Sequence, residues 1–143
     1  MTLGPALLMA GGVLSAAAAL LHLVIIFNGA PAYRYFGAGE RLATMAANRS
    51  PWPAVVTFGI AAALAGFAAY AFAGAGMLPL PRARTVILAI GVLYSARGLA
   101  FAPVALVRRR ASRFDVVSSL VALGMGIAYL GGALLPGSVD AGP

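Results

Sequence analysis

Four long apolar segments, separated by shorter polar stretches, dominate the chain. They cover residues 3–27, 54–78, 85–107 and 116–135, and together contain one charged residue, Arg97. About 20 apolar residues in a helix cross a hydrocarbon core about 30 Å thick, and each segment reaches that length. The pattern predicts an all-α integral membrane protein, a four-helix bundle with short loops and one longer first loop.

Composition supports the same class. The chain of 143 residues is 62% hydrophobic and 9% charged, whereas soluble domains are about one quarter charged. The apolar segments leave no room for a separate soluble domain, so residues 1–143 are expected to form a single four-span transmembrane domain. The first segment is read as a retained span rather than a signal peptide, because no basic residue precedes it and 25 residues exceed the usual apolar stretch of about 7 to 15.

Arginine is distributed unevenly over the predicted loops. Basic residues of short loops stay in the cytoplasm. The first and third loops carry seven arginines and the second carries two, which predicts that both termini face away from the cytoplasm; in a bacterium they are then periplasmic. The seven are Arg34, Arg41, Arg49, Arg108, Arg109, Arg110 and Arg113, and the two are Arg82 and Arg84.

The two loops that precede the third span differ in kind. Residues 79–84 predict a tight turn that makes spans two and three antiparallel neighbours. The first loop, residues 28–53, is long enough to have structure of its own. Within it, residues 39–47 predict a short interfacial helix with Leu42 and Met45 on its apolar side. The aromatic residues of this loop fit either a membrane-interface belt or a site.

Small residues at a spacing of four predict where helices pack closely in lipid. Such ladders occur in spans two and four: Ala61, Ala65, Ala69 and Ala73 with Gly59 and Gly66 nearby, and Gly124, Ala128 and Gly132.

Two polar residues within the spans are candidates for chemistry. Arg97 lies about halfway along the third span and shares a helical face with Tyr94 and Phe101. A cation there is expected to face the bundle or a watery cavity, either bonded to backbone carbonyls or binding a ligand. The single histidine, His22, is either a packed, hydrogen-bonded residue or a group that relays protons, binds a metal or donates to a ligand.

Glu40 has two alternative partners. If the first loop folds into the bundle, Glu40 neutralises Arg97; if it stays outside, Glu40 pairs with Arg41 or Arg34 in water. The first alternative gives a ligand pocket that opens to the cytoplasm. Its predicted ligand-binding residues are His22, Arg97, Tyr94, Glu40, Tyr33 and Asn28.

No cofactor or metal is predicted, and no catalytic residue is assigned. The chain has no Cys, no phosphate-binding loop and no HExxH motif, and one His excludes a haem held by two His ligands of the same chain. Membrane lipids are the expected partners, with a second copy of the chain or another membrane protein as further candidates, and nucleic acid is not expected.

Two function classes follow. The favoured one is a non-catalytic module that binds a lipid or small ligand, or an accessory subunit. The alternative is a membrane-embedded enzyme or proton-coupled transporter that uses His22 and Arg97.

The run LHLVIIFNGAPAYRYFGAGE, followed by a Pro- and Arg-containing turn and a third span with a central Arg, resembles uncharacterised small four-span inner-membrane proteins of proteobacteria. The resemblance covers most of the chain. It implies the four-span topology and a bacterial inner membrane, and it implies no activity or site residues.

Overall fold

The computed structural model describes residues 2–100 and 113–137, and it is all-α over these ranges, with no strand. The described helices are α1 (Leu3–Asn28), α2 (Ala30–Tyr35), α3 (Glu40–Ala47), α4 (Trp52–Gly74), α5 (Ala83–Leu99) and α6 (Arg113–Leu134).

Three of these helices, α1, α4 and α6, are long and apolar enough to cross a membrane. They match the first, second and fourth predicted spans, with ends displaced by up to four residues. The helix α5 begins two residues before the third predicted span and ends at Leu99, while residues 101–107 of that span lie outside the described residues. With 17 residues, α5 is about 25 Å long.

The long helices expose large apolar side chains and bury small ones. Leu20 and Phe27 of α1 are 64% and 87% exposed, and Leu120 of α6 is 64% exposed. Alanine, glycine, serine and tyrosine fill much of the interior instead. A contiguous apolar surface is unusual in a soluble monomer, whereas small residues at helix contacts are typical of helices that pack in lipid.

The chain forms two compact units, Met1–Ser15 with Phe67–Pro143, and Ala16–Gly66. In the first unit, the beginning of α1 packs against α6 at glycines. A Cβ atom on Gly132 would lie 2.8 Å from a methyl carbon of Leu8 and 3.1 Å from the carbonyl oxygen of Gly4. Glycine is therefore needed at this crossing, because a side chain would push the two helices apart.

The predicted ladders identify some contacts correctly and others incorrectly. Gly132 lies at a crossing and Ala128 is buried, as expected. A Cβ atom on Gly59, Gly66 or Gly124 would meet no atom within 4 Å, so these glycines do not lie at helix contacts in the described structure.

In α6 the contact position is Gly126, two residues beyond Gly124. A Cβ atom there would lie 2.8 Å from the backbone nitrogen of Ser95 on α5. Spacing alone did not reveal the register, because the chain has 18 glycines and several helical faces carry small residues.

The second unit contains the structured first loop. The predicted helix at residues 39–47 is observed as α3, and α2 was not predicted. Gly29 and Gly39 precede these two helices with φ angles of +65° and +96°, a conformation that glycine adopts without steric cost. The two helices pack on the end of α1 around a small core, which consists of Ile25, Ala32, Tyr33 and Ala43 with Phe36, Leu42 and Ala46 against it.

Candidate functional site

A chain of hydroxyl groups joins four helices in the first unit. Ser15 of α1 lies with its Oγ atom 2.9 Å from the Tyr94 hydroxyl of α5 and 2.7 Å from the Tyr129 hydroxyl of α6. The Tyr129 hydroxyl donates to the backbone carbonyl oxygen of Phe67 in α4, at 3.0 Å. Ser15 and Tyr129 are fully buried.

The direction of this chain follows from its last member. A carbonyl oxygen only accepts, so the single Tyr129 hydroxyl proton is committed to Phe67. The Ser15 hydroxyl must then donate to Tyr129, and Tyr94 must donate to Ser15. Each of the three hydroxyl protons is therefore used within the protein, which indicates a structural role in holding the four helices in register.

Ring packing and one glycine position the tyrosines. The Tyr94 ring lies 5.8 Å from the ring of Phe67, edge to face, and 5.5 Å from that of Tyr129. A Cβ atom on Gly11 of α1 would lie 2.8 Å from the Tyr129 ring. Gly11 thus leaves the space in which the Tyr129 hydroxyl reaches Ser15, one turn farther along α1.

Arg97 lies in the last turn of α5, which ends at Leu99. Its side chain is exposed, and its Nη1 atom donates to the Oγ atom of Ser119 on α6 at 3.4 Å. That distance is longer than the usual 2.7–3.2 Å, so the bond is weak. The guanidinium carries five N–H donors, and this contact engages one of them.

Tyr33 connects α2 to the first part of α4. Its hydroxyl lies 3.1 Å from the Oγ1 atom of Thr57, and both residues are buried. This hydrogen bond fixes the short helix α2 against a long helix, so Tyr33 has a structural partner within the second unit.

Glu40 pairs with Arg34, which was the second alternative for this residue. The Arg34 Nη2 and Nε atoms donate to the carboxylate at 2.9 and 3.0 Å, and the two side chains are 51% and 70% exposed. The hydrogen bond from Arg34 lowers the pKa of Glu40 from its ordinary value, and the same bond raises the pKa of Arg34. An exposed pair stabilises little, but it bridges the end of α2 and the start of α3.

His22 and Asn28 bond to their own helix. The His22 Nδ1 atom lies 2.7 Å from the carbonyl oxygen of Ala18, and the Asn28 Nδ2 atom donates to that of Val24 at 2.7 Å. Because a carbonyl only accepts, the His22 Nδ1 atom carries the proton. In the neutral ring the lone pair is then on Nε2, the atom through which His22 accepts a proton or a ligand hydrogen.

The six predicted ligand-binding residues are divided between the two units. Each makes its polar contact with a residue outside the predicted set. His22, Asn28, Tyr33 and Glu40 belong to the second unit, and Tyr94 and Arg97 to the first.

The sequence identified polar residues that make contacts between helices, but it did not identify the residues to which they bond. Ser15, Ser119 and Tyr129 are hydroxyl residues within apolar helices, and all three are buried. Polar residues within spans are expected to face other helices, which holds for these hydroxyl residues as well as for charged ones.

Comparison with protein-family models, with curated proteins and with solved structures finds no match to this chain. The fold and the contacts above define the class of protein: over residues 2–100 and 113–137 it is helical, with three candidate membrane spans and a buried chain of hydroxyl groups between four helices.

Proposed function

We propose that the protein is a multi-pass integral membrane protein of a bacterial inner membrane, with α1, α4, α5 and α6 as four spans. The supporting observation is the exposed apolar surface of these helices, including Val92 and Leu93 of α5, which are 59% and 54% exposed. Such a surface is stable in contact with acyl chains and would aggregate in water. The arginine distribution favours periplasmic termini.

A test of the topology uses the absence of cysteine from the chain. Single cysteines replace Thr44 of α3, Met77 between α4 and α5, and Pro136 after α6, all at exposed positions. A membrane-impermeant maleimide is expected to label Met77→Cys and Pro136→Cys in intact cells, and Thr44→Cys only after permeabilisation. Labelling of Met77→Cys and Pro136→Cys from opposite sides would contradict the proposal, because α5 would then not cross.

The function that the contacts favour is non-catalytic: binding of a lipid or small ligand, or service as an accessory subunit. The hydroxyl chain from Tyr94 to Phe67 ends at a backbone carbonyl and uses its protons to join helices, so it is suited to structure rather than to proton transfer with a substrate. The apolar surface and the exposed Arg97 are the features that a lipid, a second copy or another membrane protein would contact.

Native mass spectrometry of protein released gently from its membrane tests this function. A retained lipid or small molecule, or a second subunit in fixed ratio, is the expected result. A bare monomer under conditions that preserve other membrane complexes would argue against both forms of the proposal.

A membrane-embedded enzyme or proton-coupled transporter is the second candidate. One observation favours it: the Nδ1 bond of His22 leaves the lone pair of the neutral ring on Nε2, where it can accept a proton or a ligand hydrogen. Loss of a proton-coupled activity in both His22→Ala and Arg97→Ala, with folding intact, would favour this candidate over the first.

A further inference from the structure

The ends of α5 and α6 approach closely beside Arg97. A Cβ atom on Gly98 would lie 2.9 Å from the carbonyl oxygen of Ser119 and 2.9 Å from the backbone nitrogen of Leu123. The missing side chain of Gly98 therefore lets the backbone of α6 reach the last turn of α5. Arg97, the preceding residue, lies along this contact with its guanidinium beside the Ser119 hydroxyl.

Three leucines close in sequence to Arg97 and Ser119 are exposed. Leu93, one turn before Arg97, is 54% exposed, and Leu99 is 61% exposed; on α6, Leu120 beside Ser119 is 64% exposed. Ser119 itself is 4% exposed. The site thus consists of a fixed buried hydroxyl, an exposed cation and apolar side chains of the kind that acyl chains cover.

The charge at this end of the two helices is positive. Arg97 is always ionised, and Arg113 at the start of α6 is exposed. The acid nearest along α6, Asp115, lies one turn before Ser119 and is itself engaged in an interaction. A guanidinium on a lipid-facing surface is costly without an anion, and a bilayer supplies anions as lipid phosphates.

The depth of Arg97 agrees with a phosphate partner. Its Cα atom lies 14 residues beyond Ala83, or about 21 Å along α5, against a hydrocarbon core about 30 Å thick. The long side chain reaches toward the headgroups by snorkelling. A guanidinium also matches phosphate geometry with two parallel hydrogen bonds, which an ammonium cannot provide.

We propose that Arg97, which makes one long hydrogen bond to Ser119, binds the phosphate of an anionic phospholipid headgroup at the paired ends of α5 and α6. This site rests on the proposed membrane placement and names the ligand class of the proposed binding function. The acyl chains of that lipid lie against the exposed leucines of both helices.

The test measures retention of phosphatidylglycerol and phosphatidylcholine with identical acyl chains by native mass spectrometry, over a titration of each lipid. The unaltered protein is expected to prefer phosphatidylglycerol. Arg97→Ala should weaken phosphatidylglycerol binding about tenfold, which corresponds to about 1.4 kcal/mol. Arg41→Ala, which removes an exposed arginine of α3, is the matched control and should leave binding unchanged.

Two further variants keep the test informative if Arg97→Ala fails to fold. Arg97→Lys keeps the charge without the planar fork, and Ser119→Ala keeps the guanidinium without its anchor; each should weaken binding about threefold, since each loses part of the geometry. Equal binding of the two lipids by the unaltered protein would overturn the proposal. Equal losses in Arg97→Ala and Arg41→Ala would overturn it too, because attraction would then depend on net charge alone.

Competition distinguishes a lipid from a free ion. Inorganic phosphate at concentrations equal to the lipid should not displace phosphatidylglycerol; displacement would identify free phosphate as the ligand and overturn the lipid assignment. The cysteine labelling described above is repeated on Arg97→Ala. If the unaltered protein has the expected topology but binds the two lipids equally, this site alone is refuted, whereas a different labelling pattern of the unaltered protein refutes the membrane placement.

Discussion

Removal of the Ser15 hydroxyl is the most direct test of the buried hydrogen-bond chain. Ser15→Ala eliminates both bonds of the central hydroxyl, to Tyr94 and to Tyr129. Because the hydroxyl groups donate in the direction of the Phe67 carbonyl, the loss of Ser15 affects Tyr94 and Tyr129 differently. Tyr129 keeps its own donation to Phe67, whereas the Tyr94 hydroxyl proton loses its acceptor in a buried position.

The expected magnitude combines two reference values, one for the lost hydrogen bonds and one for the donor left without an acceptor. Hydrogen bonds between membrane helices contribute about 0.6 kcal/mol on average, and an unsatisfied buried donor costs about 1 to 3 kcal/mol. Ser15→Ala should therefore lower the free energy of unfolding by about 1.5 to 3 kcal/mol. Tyr94→Phe removes one bond and its own donor together, so it should cost only about 0.6 kcal/mol. The double variant should cost less than the sum of the two, since no donor is then left without an acceptor.

Unfolding by dodecyl sulfate in mixed micelles, followed by near-ultraviolet circular dichroism, measures these differences. Ser118→Ala is the matched control, because the Ser118 hydroxyl bonds to the carbonyl of Asp115 within its own helix, and its removal should change stability little. If Tyr94→Phe lowers the free energy of unfolding as much as Ser15→Ala or more, the proposed direction of hydrogen-bond donation is refuted. Strict additivity in the double variant would refute the argument of a stranded donor.

Two further predictions concern a helix contact and an ion pair. Gly126→Ala should lower the free energy of unfolding by about 1 to 3 kcal/mol in the same assay, because its Cβ atom would lie 2.8 Å from the Ser95 backbone nitrogen, whereas Gly124→Ala should be neutral. NMR titration should give a pKa of the Glu40 carboxyl below its ordinary value, because the Arg34 hydrogen bond favours the charged form, and this pKa should return toward the ordinary value in Arg34→Gln. The stabilisation that Glu40 contributes is present above the ordinary pKa and is lost as the pH falls through the lowered pKa. An unchanged Glu40 titration in Arg34→Gln would contradict the second prediction.

Hydrophobic length predicted the long helices well. A segment that is apolar on every face can be recognised without knowing its neighbours, so α1 begins and ends within one residue of expectation. The helix α2 was missed, although Pro31 after Gly29 is a typical helix start. The physical reason is its length, because six residues are too few to show a periodic pattern.

Partners were harder to predict than candidates, because a partner depends on the register between helices. Tyr94 and Arg97 are three residues apart on one helix, yet Tyr94 points to a buried Ser15 and Arg97 to an exposed edge beside Ser119. Tyr94 and Arg97 therefore lie on the same face of α5 but in different environments. The choice between Gly124 and Gly126 at the contact of α6 has the same origin, since two residues along a helix change the face by more than half a turn.

The distribution of polar groups separates structure from recognition within the first unit. Serine and tyrosine hydroxyls in the interior satisfy one another and a backbone carbonyl, so they contribute helix register without leaving a charge in a low-dielectric interior. Neutral hydroxyl groups cannot neutralise the charge of a cation. Arg97 lies instead at the exposed end of α5, with one long hydrogen bond to Ser119. Substitutions in the hydroxyl chain should therefore change stability first, and substitutions at Arg97 should change what the protein binds.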